Sequence, residues 1–239
     1  MVRYGASGRE VVLRDGGYEA RIVTVGAGLA GLTYRGHEVI VPHRVDECPP
    51  AYLGKVLMPW PNRVAGGAYS WEGTSYDLPV DEPAFGTSLH GFVAFQDWQV
   101  DRADASSVQL STLIAARYSY PWTLLASARY SLDARAGLAV ELSATNVGQG
   151  TAPLGVGFHP YLAVDGIRAD FLELTNPASI IYEADASMIP VAAHDVAGFG
   201  LDFRSPARIG EAGLDHCFAG LPPGTWTVTL RDPDSGVGV

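Results

Sequence analysis

Two histidines in short, unusual sequence contexts could carry proton chemistry in this chain. His90 lies in the pentapeptide SLHGF, and His159 lies in the pentapeptide GFHPY. An imidazole has an ordinary pKa of about 6.5, so it can give up or take a proton near neutral pH. A glycine lies within two residues of each histidine, so the local backbone can turn tightly and let a ligand approach closely. The pair predicts general acid–base chemistry, although a histidine taken alone is more often a structural or surface residue.

Three polar residues elsewhere in the chain are further candidates for a site. Asn62 and Arg63 end the segment PWPNR, and Asp215 begins the segment DHCF. An arginine among rigid, apolar residues usually has an assigned partner, which is either a ligand or a buried carboxylate. Asp215 also has a structural interpretation, because aspartate is common where a turn leads into a strand. On the residues alone, both interpretations stay open.

The four motifs Asn-Arg, Leu-His-Gly, His-Pro-Tyr and Asp-His-x-Phe occur in the same order as in the aldose 1-epimerase (galactose mutarotase) family, which the chain resembles from Gly26 to Pro233. The resemblance implies a large antiparallel β-sandwich of the galactose mutarotase type with an open sugar cleft. It implies that both histidines are catalytic, with His159 as the general acid. The side chains that would bind or line the sugar are Asn62, Arg63, His90, Tyr161 and Asp215.

The reaction that the resemblance implies is mutarotation, the interconversion of the α and β anomers of a free hexose. A base removes the proton of the C1 hydroxyl while an acid protonates the ring oxygen, and the opened ring then closes on the other face. This chemistry requires neither a metal nor a nucleotide. We therefore predict no cofactor, no metal, and a small-molecule sugar such as glucose or galactose as the partner.

Three other functions remain open. A hexose-6-phosphate 1-epimerase of the same fold would need additional cationic groups for the phosphate, and Arg44, Lys55 and Arg117 are candidates. A catalytically inactive carbohydrate-binding protein would keep only the residues that bind hydroxyl groups. A glycoside hydrolase would need two carboxylates at a set separation, which a sequence does not show.

The chain departs from the family pattern in one respect. Family members place a general-base glutamate in a Glu-Pro motif near the end of a longer chain, whereas the Glu-Pro dipeptide of this sequence is Glu82-Pro83, upstream of His90. We do not assign the base to Glu82. We therefore expect that the 239-residue chain lacks its base and some closing strands, and that it is nearly inactive alone. The strand that contains Leu230 is expected to be an exposed, association-prone edge.

The elements that must position these side chains have the periodicity of strands. Short alternating or β-branched runs recur, for example at 39–41 and 225–230, and residues 68–78 predict a hairpin with Gly73 in its turn. The 28 glycines and 16 prolines are spread through the chain, and no segment has a sustained helical stripe. These patterns predict an all-β antiparallel sandwich, and we interpret residues 1–239 as a single domain.

Bulk composition disfavours several classes of protein. The formal net charge of −10 argues against nucleic acid as a partner. The two cysteines lack CxxC spacing and the histidines lack HxH or HExxH spacing, which argues against a disulfide framework and a metal site. Residues 1–5 form no apolar signal region and no run reaches the length of a membrane span, so we predict a cytoplasmic protein without membrane contact. The oligomeric state is left open.

The segment Gly26–Gly31 matches the spacing of a dinucleotide-binding loop. That loop works only when a helix follows and receives the pyrophosphate at its N-terminus. Strand-like residues resume at Val39 instead, so we interpret the segment as a glycine-rich turn between two strands.

Overall fold

The computed structural model describes residues 5–239, and strands dominate it. Strands make up 45% of the residues and helices 4%, so the predicted all-β class is confirmed. The chain forms two compact units, the first ending at Tyr161 and the second running from Leu162 to Val239. The single-domain interpretation stays a prediction. Within residues 5–239, no helix has the length and apolar character needed to cross a bilayer. Residues 1–4, on which the prediction for the N-terminus depends, lie outside the described part of the chain.

The first unit is built from short strands joined by tight turns, together with a 3-10 turn at Pro50–Tyr52. In chain order the strands are β1 (Glu10–Asp15), β2 (Tyr18–Val23), β3 (Gly28–Tyr34), β4 (His37–Glu38), β5 (Val56–Leu57), β6 (Arg63–Ala65), β7 (Ala68–Trp71), β8 (Thr74–Asp77), β9 (Thr87–Leu89), β10 (Gln99–Ala103), β11 (Ser107–Ile114), β12 (Leu124–Asp133), β13 (Gly137–Asn146) and β14 (Gly157–Phe158).

Two four-stranded antiparallel sheets form the framework of the first unit, with strand orders β1-β2-β3-β4 and β10-β11-β12-β13. Side chains alternate between the faces of a strand, and in β12 every second residue from Leu124 to Leu132 is buried. One apolar cluster contains residues from both sheets, among them Leu13 and Tyr130. The Tyr130 hydroxyl donates to the carbonyl of Ala27 at 2.5 Å, which satisfies a polar atom inside this core.

In the glycine-rich segment, residues 26–27 form the predicted turn between two strands, whereas residues 28–31 belong to β3, so the turn is shorter than predicted. Strands β2 and β3 pair antiparallel, and no helix follows the turn. Gly26 has φ of 74°, and a Cβ at this position would lie 2.3 Å from the carbonyl oxygen of Ala94. Glycine is therefore required here for a left-handed turn and for close packing of two backbone segments.

The second unit consists of short strands with a single helical turn. In chain order its elements are β15 (Glu173–Thr175), β16 (Ile180–Ala184), β17 (Pro190–Asp195), α1 (Val196–Phe199), β18 (Ala207–Arg208), β19 (Cys217–Ala219) and β20 (Thr229–Arg231), with a 3-10 turn at Ala169–Phe171. The strands form two three-stranded antiparallel sheets with orders β18-β15-β20 and β17-β16-β19. A small apolar cluster around Val164, Leu172 and Leu230 lies at the centre of the unit.

The expectation that the strand of Leu230 is an unpaired edge is wrong. On one side Leu230 pairs with Leu174 of β15. On the other side a turn reverses the chain, and Leu230 and Val239 exchange two backbone hydrogen bonds with N···O distances of 2.8 Å. The turn is stabilised by the carboxylate of Asp232, which accepts a hydrogen bond from the hydroxyl of Ser235 at 2.5 Å. This turn covers the edge because it directs residues 237–239 back along β20.

Of two predicted strands, the run 39–41 belongs to no strand, and the run 225–230 is shorter than the sequence pattern indicated. In the run 39–41, the amide of Val39 donates to Leu32 and the amide of Val41 donates to Tyr161, so the run has no single strand as its partner. In the run 225–230, only the last residues belong to a strand, Thr229–Arg231. An apolar, β-branched run therefore formed a strand only where a neighbouring backbone offered a continuous ladder.

Candidate functional site

His90 is held against Asn62 by the pairing of two short strands. Strands β6 and β9 are antiparallel, with Arg63 opposite Leu89, so the residues that flank this pair also meet. The amide of Asn62 donates to Nδ1 of His90 at 2.9 Å, and the amide of His90 donates to the carbonyl of Asn62 at 3.0 Å. Asn62 and His90 have φ of 62° and 61°. Left-handed backbone at non-glycine residues is costly and is typical of functional sites.

The protonation state of His90 follows from these contacts. Because Nδ1 accepts a hydrogen bond, the neutral ring carries its proton on Nε2. The pKa of His90 is lowered to about 4, chiefly by burial and then by the nearby His159 and Arg63, while Glu82 opposes them. His90 is therefore a neutral imidazole near pH 7, and its Nε2–H is a hydrogen-bond donor.

His159 is positioned beside His90 by a second pair of short strands. Strand β14 pairs with β5, and His159 follows β14 directly. The amide of His159 donates to the carbonyl of Lys55 at 3.0 Å, and its carbonyl accepts from the amide of Gly54 at 2.8 Å. The ring centroids of His90 and His159 are 5.2 Å apart, with an angle of 80° between the rings. The ring of Tyr161 lies 5.3 Å from that of His159, so these three predicted site residues lie together.

Two aromatic side chains form a wall next to the histidines. The ring of Tyr52 contacts His90 edge-on at 4.6 Å and Phe95 at 5.2 Å. Phe95 is 58% exposed, whereas Phe92 packs against the core, so only Phe95 offers a ring face to a ligand. The sequence motifs contain no signal for Tyr52, because its place depends on a left-handed backbone (φ 55°) in the 3-10 turn.

Arg63 makes a bidentate ion pair with Glu82. Its Nε and Nη2 donate to Oε2 and Oε1 of Glu82 at 2.7 and 2.8 Å. The Arg63 hydrogen bond is the largest cause of a lowered pKa for Glu82, and Thr87 contributes a further hydrogen bond. The salt bridge that the sequence left open for Arg63 is therefore present and mostly buried, at the first residue of β6 and directly after Asn62. The second carboxylate of this loop, Asp81, accepts a hydrogen bond from the amide of Leu89 at 2.8 Å.

The three cations that the sequence offered for a phosphate lie in different environments. Lys55 is 1% exposed, donates to the carbonyl of Val25 at 2.7 Å, and has its pKa lowered to about 8 by burial. Arg44 is exposed and pairs with Asp46. Arg117 lies over the ring of Phe92 at 3.8 Å.

Asp215 lies in the second unit, in the loop that leads to β19. Its side chain is exposed to solvent. The structure therefore brings together five of the predicted residues in the first unit, and the place of Asp215 in a sugar site stays a prediction. Those five residues are Asn62, Arg63, His90, His159 and Tyr161.

The chain is similar to members of one protein family over nearly its whole length. The aldose 1-epimerase family model matches residues 9–239. The uncharacterized protein YihR of Escherichia coli (strain K12) is 40% identical over 233 residues, which cover 98% of this chain and 75% of that protein. The galactose mutarotase of Rattus norvegicus is 29% identical over 183 residues. That match covers 70% of this chain and 52% of the rat enzyme, so the chain spans about half the length of this relative.

A solved structure shows the same fold. The crystal structure of the GalM/aldose epimerase homologue from C. elegans aligns with 96% of this chain and 77% of its own, with a TM-score of 0.85 and 23% identity. At this identity the similarity concerns the fold, which is galactose mutarotase-like as predicted. Together with the family match over residues 9–239, it shows that the chain belongs to the aldose 1-epimerase family.

Proposed function

We propose that this protein is an aldose 1-epimerase that interconverts the α and β anomers of a free hexose. The observation that carries the proposal is the pair of imidazoles at 5.2 Å, beside the Asn62–Arg63 segment. His159 is the general acid that protonates the ring oxygen as the C1 hydroxyl loses its proton to a base. The ring opens to the aldehyde, the C1–C2 bond rotates, and reclosure on the other face returns both protons.

The other residues bind and orient the sugar in this proposal. His90 donates from Nε2 to a sugar oxygen, because its Nδ1 is already occupied. Asn62, Arg63 and Asp215 bind hydroxyl groups, and Tyr161 lines the site. The exposed ring of Phe95 offers an apolar face to the C–H groups of a pyranose.

A carbohydrate-binding protein without catalysis is the second candidate. It is favoured by the state of the two carboxylates in the loop before β9, because Glu82 is engaged by Arg63 and Asp81 by the amide of Leu89. A carboxylate in a bidentate ion pair is a weak base, since the arginine stabilises its ionised form. The proposed site would then bind a sugar and leave its anomers to interconvert at the spontaneous rate.

A hexose 6-phosphate as substrate is the third candidate. Lys55 does not favour it, because its ammonium group is buried and donates to a backbone carbonyl. Arg44 is engaged by Asp46, so Arg117, whose guanidinium lies over the ring of Phe92, is the remaining candidate of the three. A phosphate would be bound there by charge-assisted hydrogen bonds.

Polarimetry and calorimetry separate the three candidates. Freshly dissolved α-glucose, α-galactose and glucose 6-phosphate are followed at pH 7 with and without the protein, and each sugar is titrated into it. Binding of a free hexose with faster anomerisation supports the epimerase. Binding of a free hexose without any acceleration of its anomerisation indicates a carbohydrate-binding protein. Preferential binding and conversion of glucose 6-phosphate, if Arg117→Gln abolishes this preference, indicates the hexose-6-phosphate epimerase. A protein that neither binds nor converts any of these sugars would contradict the proposal.

A further inference from the structure

Thr87 holds the carboxylate of Glu82 in place. The hydroxyl of Thr87 donates to Oε2 of Glu82 at 2.6 Å, and Thr87 is fully buried. The backbones of the two residues also exchange hydrogen bonds, from the amide of Glu82 at 3.1 Å and from the amide of Thr87 at 3.3 Å. The carboxylate is therefore anchored to β9, the strand that leads to His90.

Glu82 in turn fixes the plane of the Arg63 guanidinium. It occupies the Nε–Nη2 edge, while Nη1 lies 3.4 Å from Oδ1 of Asn62. The ring of Phe85 covers the guanidinium at 5.1 Å. Both partners of the ion pair are mostly buried, with 17% and 18% of their side chains exposed. A fork-to-fork pair in such surroundings leaves a guanidinium little freedom to rotate.

We infer that Glu82 is a positioning residue for the sugar site, which acts through Arg63. The bidentate ion pair, in which Thr87 anchors Glu82, orients the Nη1 edge of Arg63 toward Asn62. The carboxylate also balances the positive charge of Arg63 beside His90. This inference rests on the proposed function. A sugar hydroxyl then meets a donor whose direction is set before binding, so less orientational freedom is lost when the complex forms.

The electrostatics of the pair agree with a positioning role. Arg63 keeps the pKa of Glu82 below its ordinary value, so Glu82 stays ionised and is a poor proton acceptor at neutral pH. The nearby His159 and Arg63 lower the pKa of His90, and Glu82 raises it. Glu82 thereby limits the effect of the arginine's positive charge on the imidazole at the site.

Isosteric variants test the role of Glu82. Glu82→Gln keeps the size of the side chain but loses the charge and one acceptor, so we expect Kd or KM for the sugar to rise about tenfold while kcat changes less. Thr87→Val loosens the anchor and keeps the ion pair, so a smaller rise of about threefold is expected. Glu141→Gln on β13, where the carboxylate lies 3.9 Å from Arg129 on the surface, is the matched control and should behave like the parent.

Nuclear magnetic resonance gives a readout that does not depend on activity. In Glu82→Gln, the Nε–H of Arg63 should exchange faster with water, and His90 should titrate at lower pH than in the parent. Removing one partner of a mostly buried ion pair lowers stability, so a lower melting temperature is expected as well. Both resonance changes, together with the loss of affinity in the folded variant, support the inference. A Glu82→Gln variant with parental affinity, parental His90 titration and a protected Arg63 Nε–H would overturn it. If the parent binds no sugar, the proposed function fails, and the two resonance measurements still decide whether Glu82 positions Arg63.

Discussion

Asn62 and His90 hold each other through two hydrogen bonds that run in opposite directions, one into Nδ1 of the imidazole and one into the carbonyl of Asn62. The first bond selects the tautomer of His90, and the second fixes the backbone on both sides of the β6–β9 pair. Both residues have left-handed backbone, which their surroundings must stabilise. In the proposed mechanism the two histidines therefore have unlike roles, with His90 as a neutral hydrogen-bond donor and His159 as the general acid.

In a protein that carries the expected general base, His159→Asn should lower the rate of catalysed anomerisation by about a hundredfold or more. Asparagine can donate a hydrogen bond to the ring oxygen but cannot transfer a proton near neutral pH. Polarimetry of fresh α-galactose measures the rate above the spontaneous background. His194→Asn, which changes a surface histidine paired with Glu183 in the second unit, is the control and should retain the parental rate. A His159→Asn enzyme with parental turnover would remove this residue from the mechanism.

His90 should make the protein less stable as the pH falls from about 6.5 toward 4. Its pKa is about 4 in the folded chain and about 6.5 in an unfolded one, so the unfolded chain binds more protons between these values. The free energy of unfolding therefore decreases as the pH decreases through this window, and His90 contributes no further change above it. Urea unfolding at several pH values should show a smaller decrease for His90→Gln than for the parent. His43, whose pKa is also lowered by burial, is present in both proteins, so the difference isolates His90. Equal slopes would show that His90 titrates normally in the folded state.

The fold of the first unit could be read largely from local patterns. The Gly73 turn between β7 and β8 is a property of residues close together in the chain, and it is present as predicted. The contacts that shape the site are of another kind. Arg63 and Glu82 are 19 residues apart, and they meet only because β6 pairs with β9 in one register. Such a partner depends on tertiary structure, so the sequence left both the ligand and the buried carboxylate open for Arg63.

The histidine motifs predicted the site because they resemble the motifs of a family, and the sequence itself showed no geometric relationship between them. Tyr52 lies against His90 because two successive residues, Ala51 and Tyr52, adopt left-handed backbone, and no residue type in that segment requires it. The edge at Leu230 is covered through a local turn, but the run 237–239 is too short for its pattern to predict the hydrogen bonds between Val239 and Leu230. Local chemistry thus predicted the elements, whereas long-range pairing determined what each functional side chain touches.

Gly91→Ala should destabilise the protein more than Gly73→Ala, by at least about 2 kcal/mol. Both glycines have positive φ, 72° and 80°, so both variants incur the cost of left-handed backbone at an L-residue. At Gly91 the new Cβ would also lie 2.2 Å from the carbonyl oxygen of Met58, whereas at Gly73 it would meet open space. Urea unfolding of the two variants measures the difference. Equal destabilisation would show that the backbone between Met58 and His90 can shift without cost.

Two charged side chains, Arg63 and Asp215, are proposed to bind the sugar hydroxyls. Each charge-assisted hydrogen bond contributes roughly 1.5–3 kcal/mol, so Arg63→Lys and Asp215→Asn should each weaken galactose binding about tenfold or more. Lysine keeps the charge of Arg63 but cannot hold Glu82 and a hydroxyl with one planar group. Asp215 is exposed in the second unit, so its replacement should leave the unfolding midpoint unchanged. Asp234→Asn, an exposed position in the same unit, is the matched control for affinity and stability. If calorimetric titration shows parental affinity for Asp215→Asn and a loss for Arg63→Lys, the sugar is bound by the first unit without Asp215, and its assignment from the family motif is wrong.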